Sequence, residues 1–190
     1  MIDMNRLNNI EVAAQSARAL ADKRFTDLGI TLERVCDMAL AAIVLTSGTA
    51  DPTPNLIREG VRLAGILEGS PLCPTILFEQ FDPVVRQRFS IAHELGHYFL
   101  HARRNESSVR IAYQRCDQRR VDAEPTSDDT EAGDIEAEAD AFAGAFLLPA
   151  GEVRADLAHF GKCVSLLAER YGVSEATVRR RLKALELVPV

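Results

Sequence analysis

His93-Glu94-Leu95-Gly96-His97 places two imidazoles and a carboxylate within five residues. On a helix, residues four apart lie one turn above the other on the same face, so His93 and His97 can offer two ring nitrogens to one metal ion. Glu94 lies beside that pair, where a carboxylate suits a general base for a water whose pKa zinc lowers to about 7. His101 follows, so three of the four histidines fall within nine positions. A solvated surface helix would accommodate the same residues. The flanking Ile91, Ala92, Leu95, Gly96, Phe99 and Leu100 point instead to a mostly buried helix with its polar groups on one strip. Buried polar groups need partners, and a metal ion would serve.

Two histidines do not complete a catalytic zinc site, which usually takes three protein ligands and leaves a position for water. His101 is the nearest candidate, but His93, His97 and His101 on one straight helix are spread over about 12 Å at 1.5 Å per residue. Ligands about 2 Å from one zinc cannot span that distance. His159 lies in an ordinary amphipathic context and reads as a structural or surface histidine. Glu136 is the preferred third ligand, and Asp140, one turn on, is placed to accept a histidine ring N–H and fix its tautomer. Glu138 is the rival, ranked second because helical spacing turns it away from that edge. Alanines at 137, 139, 141, 143 and 145 favour close approach of another helix over a solvated face.

The elements that must position these groups can be read outward from the histidines. Ile91, Leu95 and Phe99 supply the stripe of the histidine helix, with Asp82-Pro83 as N-cap and first-turn pair. Before it, Val61 to Leu67 and Thr75 to Phe81 are apolar runs separated by Glu68-Gly69-Ser70-Pro71-Leu72-Cys73-Pro74, which predicts a small antiparallel sheet with the site at its flank or edge. Ile10, Val12, Ala13, Ala17 and Leu20 predict an N-terminal helix, a second runs from Leu32 through Leu45 to Gly48, and Asp51-Pro52-Thr53-Pro54 marks a turn. Residues 103–134 carry arginines first and then acidic residues; a mobile, solvated excursion is expected, with one short strand at Val109 to Tyr113 and a flap over the cleft or a substrate-docking surface as its functional alternative. Asp134 to Pro149 restores a helix with Ile135, Ala139, Phe142, Ala143 and Phe146 on one face. From Leu166 to Leu182 the rhythm is that of a helix-turn-helix. Gly172 makes the turn, Ser174 caps the second helix, and Arg179, Arg180, Arg181 and Lys183 form its outer face.

Composition sets the frame. The 190 residues, 47% hydrophobic and 26% charged, suffice for one good core and a small appended unit. No run of eighteen apolar residues or secretory signal pattern is present, so neither a membrane span nor export is expected and a cytoplasmic location is the default. Cys36, Cys73, Cys116 and Cys163 are scattered, which excludes a sequence-local zinc knuckle or disulfide framework. A formal net charge of -6 argues against a surface wholly devoted to nucleic acid.

Two separated motifs, Arg88-Phe89-Ser90-Ile91-Ala92-His93-Glu94-Leu95-Gly96-His97 and Glu136-x-x-Ala139-Asp140-x-Phe142-Ala143-x-x-Phe146-Leu147-Leu148-Pro149, together resemble the ImmA/IrrE family of zinc metallopeptidases over roughly residues 60 to 185. The resemblance implies an α+β, mainly helical zincin-like domain with a small antiparallel sheet and a C-terminal helix-turn-helix-like unit. The expected organisation is an N-terminal helical region (1–55), a metallopeptidase core (56–150) and the C-terminal unit (151–190). Carried over, His93, His97 and Glu136 are zinc ligands and Glu94 is the base. The implied substrate is a helix-turn-helix repressor in a phage, mobile-element or stress-response circuit. The alternative is a DNA-binding or toxin/antitoxin-type regulator with a structural or vestigial zinc; direct DNA binding is not favoured. Tyr98, His101, Arg103 and Tyr113 are near enough in sequence to be considered as oxyanion donors.

Overall fold

Ile10, Ala14, Ala17, Ala21 and Phe25 recur at helical spacing and are all buried, which is why the first segment forms a long helix, α1 (Met4–Asp27), on the core. Asp3 starts it, its carboxylate accepting the Arg6 N–H at 2.8 Å. The computed structural model describes residues 3–27, 38–58, 60–104, 111–116, 127–161 and 163–187, with backbone alone at 104, 111–116 and 127–132. Beyond α1 come α2 (Met38–Thr46), β1 (Thr49–Thr53), β2 (Ile57–Arg58), β3 (Val61–Ser70), β4 (Cys73–Glu79), α3 (Val84–Leu100), β5 (Ile111–Cys116), α4 (Ser127–Leu147), α5 (Ala150–Phe160), α6 (Val164–Tyr171) and α7 (Glu175–Ala184). The class is α+β and mainly helical, as expected. None of the described helices is long and apolar enough to cross a membrane.

The expected hairpin is present: β3 and β4 pair antiparallel from Gly65↔Phe78 to Ser70↔Cys73, with Pro71-Leu72 as the connection. β2 and β5 also pair antiparallel with β3, and a register irregularity separates Leu63 from Gly65 opposite β5. The sheet is nevertheless mixed, not purely antiparallel, because β1 lies parallel to β4. Asp51, Pro52 and Thr53, expected as a turn, are strand residues there. An edge strand tolerates proline because its missing N–H leaves no neighbour short of a bond. The turn follows at Pro54-Asn55, where Asn55 adopts φ +51°.

Glu79 closes this turn onto the sheet. Its buried carboxylate accepts N–H groups from Asn55 (3.2 Å), Leu56 (2.7 Å) and Phe81 (3.0 Å). Burial pushes the Glu79 pKa up, but the three amides and the charge of Arg62 bring it below its ordinary 4.5. The next element, α3, starts one residue later than expected: Pro83 occupies the N-cap position and makes no side-chain cap. Asp82 is instead held by Arg62 (3.3 Å) and Arg86 (2.9 Å), since guanidinium partners are stronger than the amide it would cap.

Helices α3 and α4 cross at very close range. A Cβ added at Gly96 would lie 2.9 Å from Ala139 Cα and 3.1 Å from its carbonyl oxygen, so the expected alanine contact is realised at Ala139 against a glycine. Phe99, Phe142 and Phe146 stack in series beside the crossing, at 5.8 and 6.0 Å between centroids. Each fully buried phenylalanine stabilises by roughly 1.5–3 kcal/mol.

The charged segment departs from expectation at its C-terminal end. β5 covers the expected strand from Ile111 and runs on to Cys116, pairing with β3 from Leu63 to Gly69, while Val109 and Arg110 lie outside the described residues. α4 begins at Ser127, not at Asp134, consistent with Asp128, Asp129 and Glu131 favouring a first helical turn. The remainder of the expected excursion, 105–110 and 117–126, lies outside the described residues, as do 32–37 of the expected second helix. At the C-terminus α6 ends on Gly172 at φ +61°, and Ser174 Oγ caps α7 by accepting the Thr177 N–H at 3.1 Å, as expected.

Replacing Glu79 by alanine is expected to cost about 2–3 kcal/mol in urea unfolding at pH 7, because the amides of the turn lose a charged acceptor. A carboxylate whose folded pKa is depressed contributes fully above its unfolded value and loses that contribution as pH falls through its folded value. The gap between wild type and Glu79→Ala should therefore narrow below about pH 4.5; a gap as wide at pH 3 as at pH 7 would count against this role.

Candidate metal centre

The middle of α3 is packed on all sides, and His93, Glu94 and His97 are buried with it. Their one-turn spacing brings His93 Nε2 and His97 Nε2 to 3.0 Å, the rings meeting edge to face at 77°. From the facing helix α4, Glu136 closes the group: Oε2 is 3.2 Å from His93 Nε2 and Oε1 is 3.1 Å from His97 Nε2. Tetrahedral ligands at about 2.0–2.1 Å from zinc sit about 3.3 Å apart. Two imidazole nitrogens and a carboxylate at these separations fit such an ion, and the three form a group able to hold one.

The protonation states suit the same task. Burial lowers the His97 pKa and His93 lowers it further against the pull of Glu136, so the ring favours the neutral form that a metal needs. Burial alone would raise Glu136, yet the hydrogen bonds and charges of His93 and His97 hold it well below its ordinary 4.5, as a carboxylate. On the far side of His93, Nδ1 lies 2.9 Å from Asp140 Oδ1. A carboxylate accepts from the ring N–H, which leaves Nε2 with its lone pair toward Glu136 and His97.

Glu94 faces the sheet. A Cβ on Gly65 of β3 would come within 2.6 Å of Glu94 Oε1 and 3.2 Å of its Cγ, so the absence of a side chain at 65 makes the room that Glu94 occupies. Sequence reasoning missed Gly65. The available signal was a glycine inside an aliphatic strand run, which often marks a close approach.

The other candidates go elsewhere. His101 sits at the end of α3, 3.8 Å from Glu138. Glu138 is buried against His101 and the Arg6 guanidinium of α1, away from the His-His-Glu group. His159 is exposed and stacks edge-on against Phe160. Tyr98 is a core residue and the Arg103 guanidinium lies over the Phe99 ring; Tyr113 pairs with Leu67 on the sheet, its side chain outside the described residues. Of the cations expected on the outer face of α7, Arg181 turns inward, while Arg180 stays exposed and reaches α4 with its tip. Arg181 is only 7% exposed and donates to Leu148 O (2.9 Å) and Glu11 Oε1 (2.7 Å), and Arg180 Nη1 lies 3.3 Å from Asp140 Oδ2. Spacing along α7 alone could not reveal acceptors 33 to 170 residues away.

Residues 70–183 match the model of the family Peptidase_M78, described as the IrrE N-terminal-like domain, over more than half of the 190 residues. The matched span includes α3, α4 and the C-terminal pair of helices. No curated protein matches the chain.

Two outcomes follow from the geometry. Glu136→Ala should lower bound zinc, measured by elemental analysis after dialysis, well below one per chain while the apo protein stays folded. Gly65→Ala should cost about 1–3 kcal/mol by overpacking, with much of that loss recovered in combination with Glu94→Ala. Simple additivity of the two changes in urea unfolding would show that Gly65 does not make room for Glu94.

Proposed function

The chain belongs to the Peptidase_M78 family, and from that membership together with the His-His-Glu group we propose that it is a zinc-dependent endopeptidase acting on a helix-turn-helix transcriptional repressor. The observation that carries the enzymatic part is one arrangement: two imidazole nitrogens 3.0 Å apart, each within 3.2 Å of a Glu136 carboxylate oxygen, beside a buried glutamate. The repressor as substrate, and a phage, mobile-element or stress-response setting, rest on the family likeness.

His93, His97 and Glu136 would hold the ion. When bound, zinc supplies Lewis acidity, drawing the pKa of water toward about 7 and polarising a peptide carbonyl. Glu94 is the residue next to the ligands whose chemistry suits proton transfer. It takes a proton from the attacking water and hands it to the departing amine, so the peptide bond breaks with a carboxylate and an amine as products. Burial keeps that proton from exchanging with bulk solvent during the transfer. Asp140 orients His93, and Gly65 keeps the Glu94 carboxylate in place.

A DNA-binding reading of the C-terminal helices has less to stand on, since Arg180 and Arg181 are engaged with Asp140, Leu148 and Glu11. Of the four cations on α7, Arg179 pairs within its own helix at 3.1 Å with Glu175.

Glu94→Gln should retain zinc and lose about a hundredfold to ten-thousandfold in cleavage, with a repressor encoded beside this chain as substrate. Cleavage at the wild-type rate by zinc-loaded Glu94→Gln would remove Glu94 from the role. Absence of cleavage by the zinc-loaded wild type, against neighbouring repressors and unfolded polypeptides alike, would overturn the peptidase reading.

A further inference from the structure

We propose that Arg180 is a positioning residue of the metal centre, acting through Asp140, so that the C-terminal helix α7 is a working part of the site. The proposal rests on the metal-binding reading of His93, His97 and Glu136.

Asp140 uses its two oxygens on two elements. Oδ1 is 2.9 Å from His93 Nδ1 and Oδ2 is 3.3 Å from Arg180 Nη1. The Asp140 side chain is 34% exposed, and it borders, with Arg180, a crevice of about 630 Å³ between α1, α4 and α7. The terminal torsion of an aspartate is broad. A carboxylate open to water can swing, and its swing would let the His93 ring turn. A cation on the second oxygen narrows that motion, and ring orientation decides whether Nε2 faces Glu136 and His97.

Arg180 can do this because α7 is fixed at both ends. At its start, the carbonyls of Tyr171 and Gly172 accept Arg88 Nη2 (3.2 Å) and Nε (2.9 Å), and Arg88 lies on α3 five residues before His93. Further along, the buried Arg181 ties α7 to Leu148 O, just past the end of α4, and to Glu11 of α1. The chain from α3 through the α6–α7 turn and back to His93 is therefore closed. As a stability contact an exposed ion pair is worth little; its effect should appear in the metal site and not in the unfolding midpoint.

Arg179 provides the comparison. It carries the same charge on the same helix, is similarly exposed, and pairs with Glu175 and not with Asp140. The experiment uses the full chain, stripped and reloaded with Zn²⁺ or Co²⁺, in wild type, Arg180→Ala, Arg180→Lys, Arg179→Ala, Asp140→Asn and the Asp140→Asn/Arg180→Ala double variant. Zinc affinity is read by chelator competition, the ligand field by the Co²⁺ absorption bands, and folding by the thermal midpoint of the apo protein. Arg180→Ala is expected to weaken zinc about tenfold, the lower end of what outer partners of ligands contribute. It should also shift the Co²⁺ bands and leave the apo midpoint unchanged. Arg180→Lys should restore most of the affinity, Arg179→Ala should match wild type, and Arg180→Ala should add nothing in the Asp140→Asn background. Wild-type affinity and spectrum in Arg180→Ala would overturn the proposal, as would an equal loss in Arg179→Ala or a full additional loss in the double variant. A wild type that binds neither metal would take down the metal reading and this proposal together, whereas a tight wild type with an indifferent Arg180→Ala removes this proposal alone.

Discussion

Helix α3 is confined between two contacts at which there is no space for a side chain. Toward α4 it meets Ala139 through Gly96, where an added Cβ would be 2.9 Å from backbone; toward the sheet, Glu94 fills the space left by Gly65. The first contact lets a carboxylate from α4 come within 3.1–3.2 Å of two imidazoles on α3. A larger residue at either side of the crossing would separate the helices, and the ligand set would split into a pair and a lone glutamate. The second contact fixes the opposite side, where the group suited to proton transfer lies against β3. Close packing thus does the positioning, and the apolar run Phe99, Phe142 and Phe146 supplies the burial that holds the helices together.

Arginines complete the frame in a consistent way. Arg24 reaches Val44 O near the end of α2, Arg18 reaches Phe146 O (2.9 Å) and Arg181 reaches Leu148 O at the end of α4, and Arg88 binds the last carbonyls of α6 and its turn. Helix C-termini leave carbonyls without intrahelical donors and carry partial negative charge, so a cation there is favoured by about 0.3–1 kcal/mol. Each of these side chains comes from a different helix than the one it caps. They therefore fix helix ends relative to one another, in addition to satisfying them.

This use of charge explains much of what the sequence could and could not reveal. The grouping of His93, His97 and Glu136 was legible because the histidines are one helical turn apart and Glu136 borders the apolar stripe of a second helix. The β3–β4 hairpin and the Gly172–Ser174 turn were legible from punctuation that acts over a few residues. Asp82 looked like a cap until two arginines competed for it, and Asp51 to Thr53 looked like a turn because the edge position that tolerates Pro52 is set by pairing with β4. Arg181 was expected outward because its acceptors, just past α4 and on α1, lie 33 and 170 residues away. Gly65 was passed over for a related reason: what a glycine makes room for is known only once the opposing element is placed.

The edge strand β1 has a consequence beyond the site. It is the outermost strand beside β4, and Asp51 and Pro52 on it are exposed. A foreign strand seeking to lengthen the sheet there would find one position with no amide to donate and a charge that would have to shed its water. Those two residues act as gatekeepers against strand-to-strand self-association along β1, which directs any extension of the sheet to its other side.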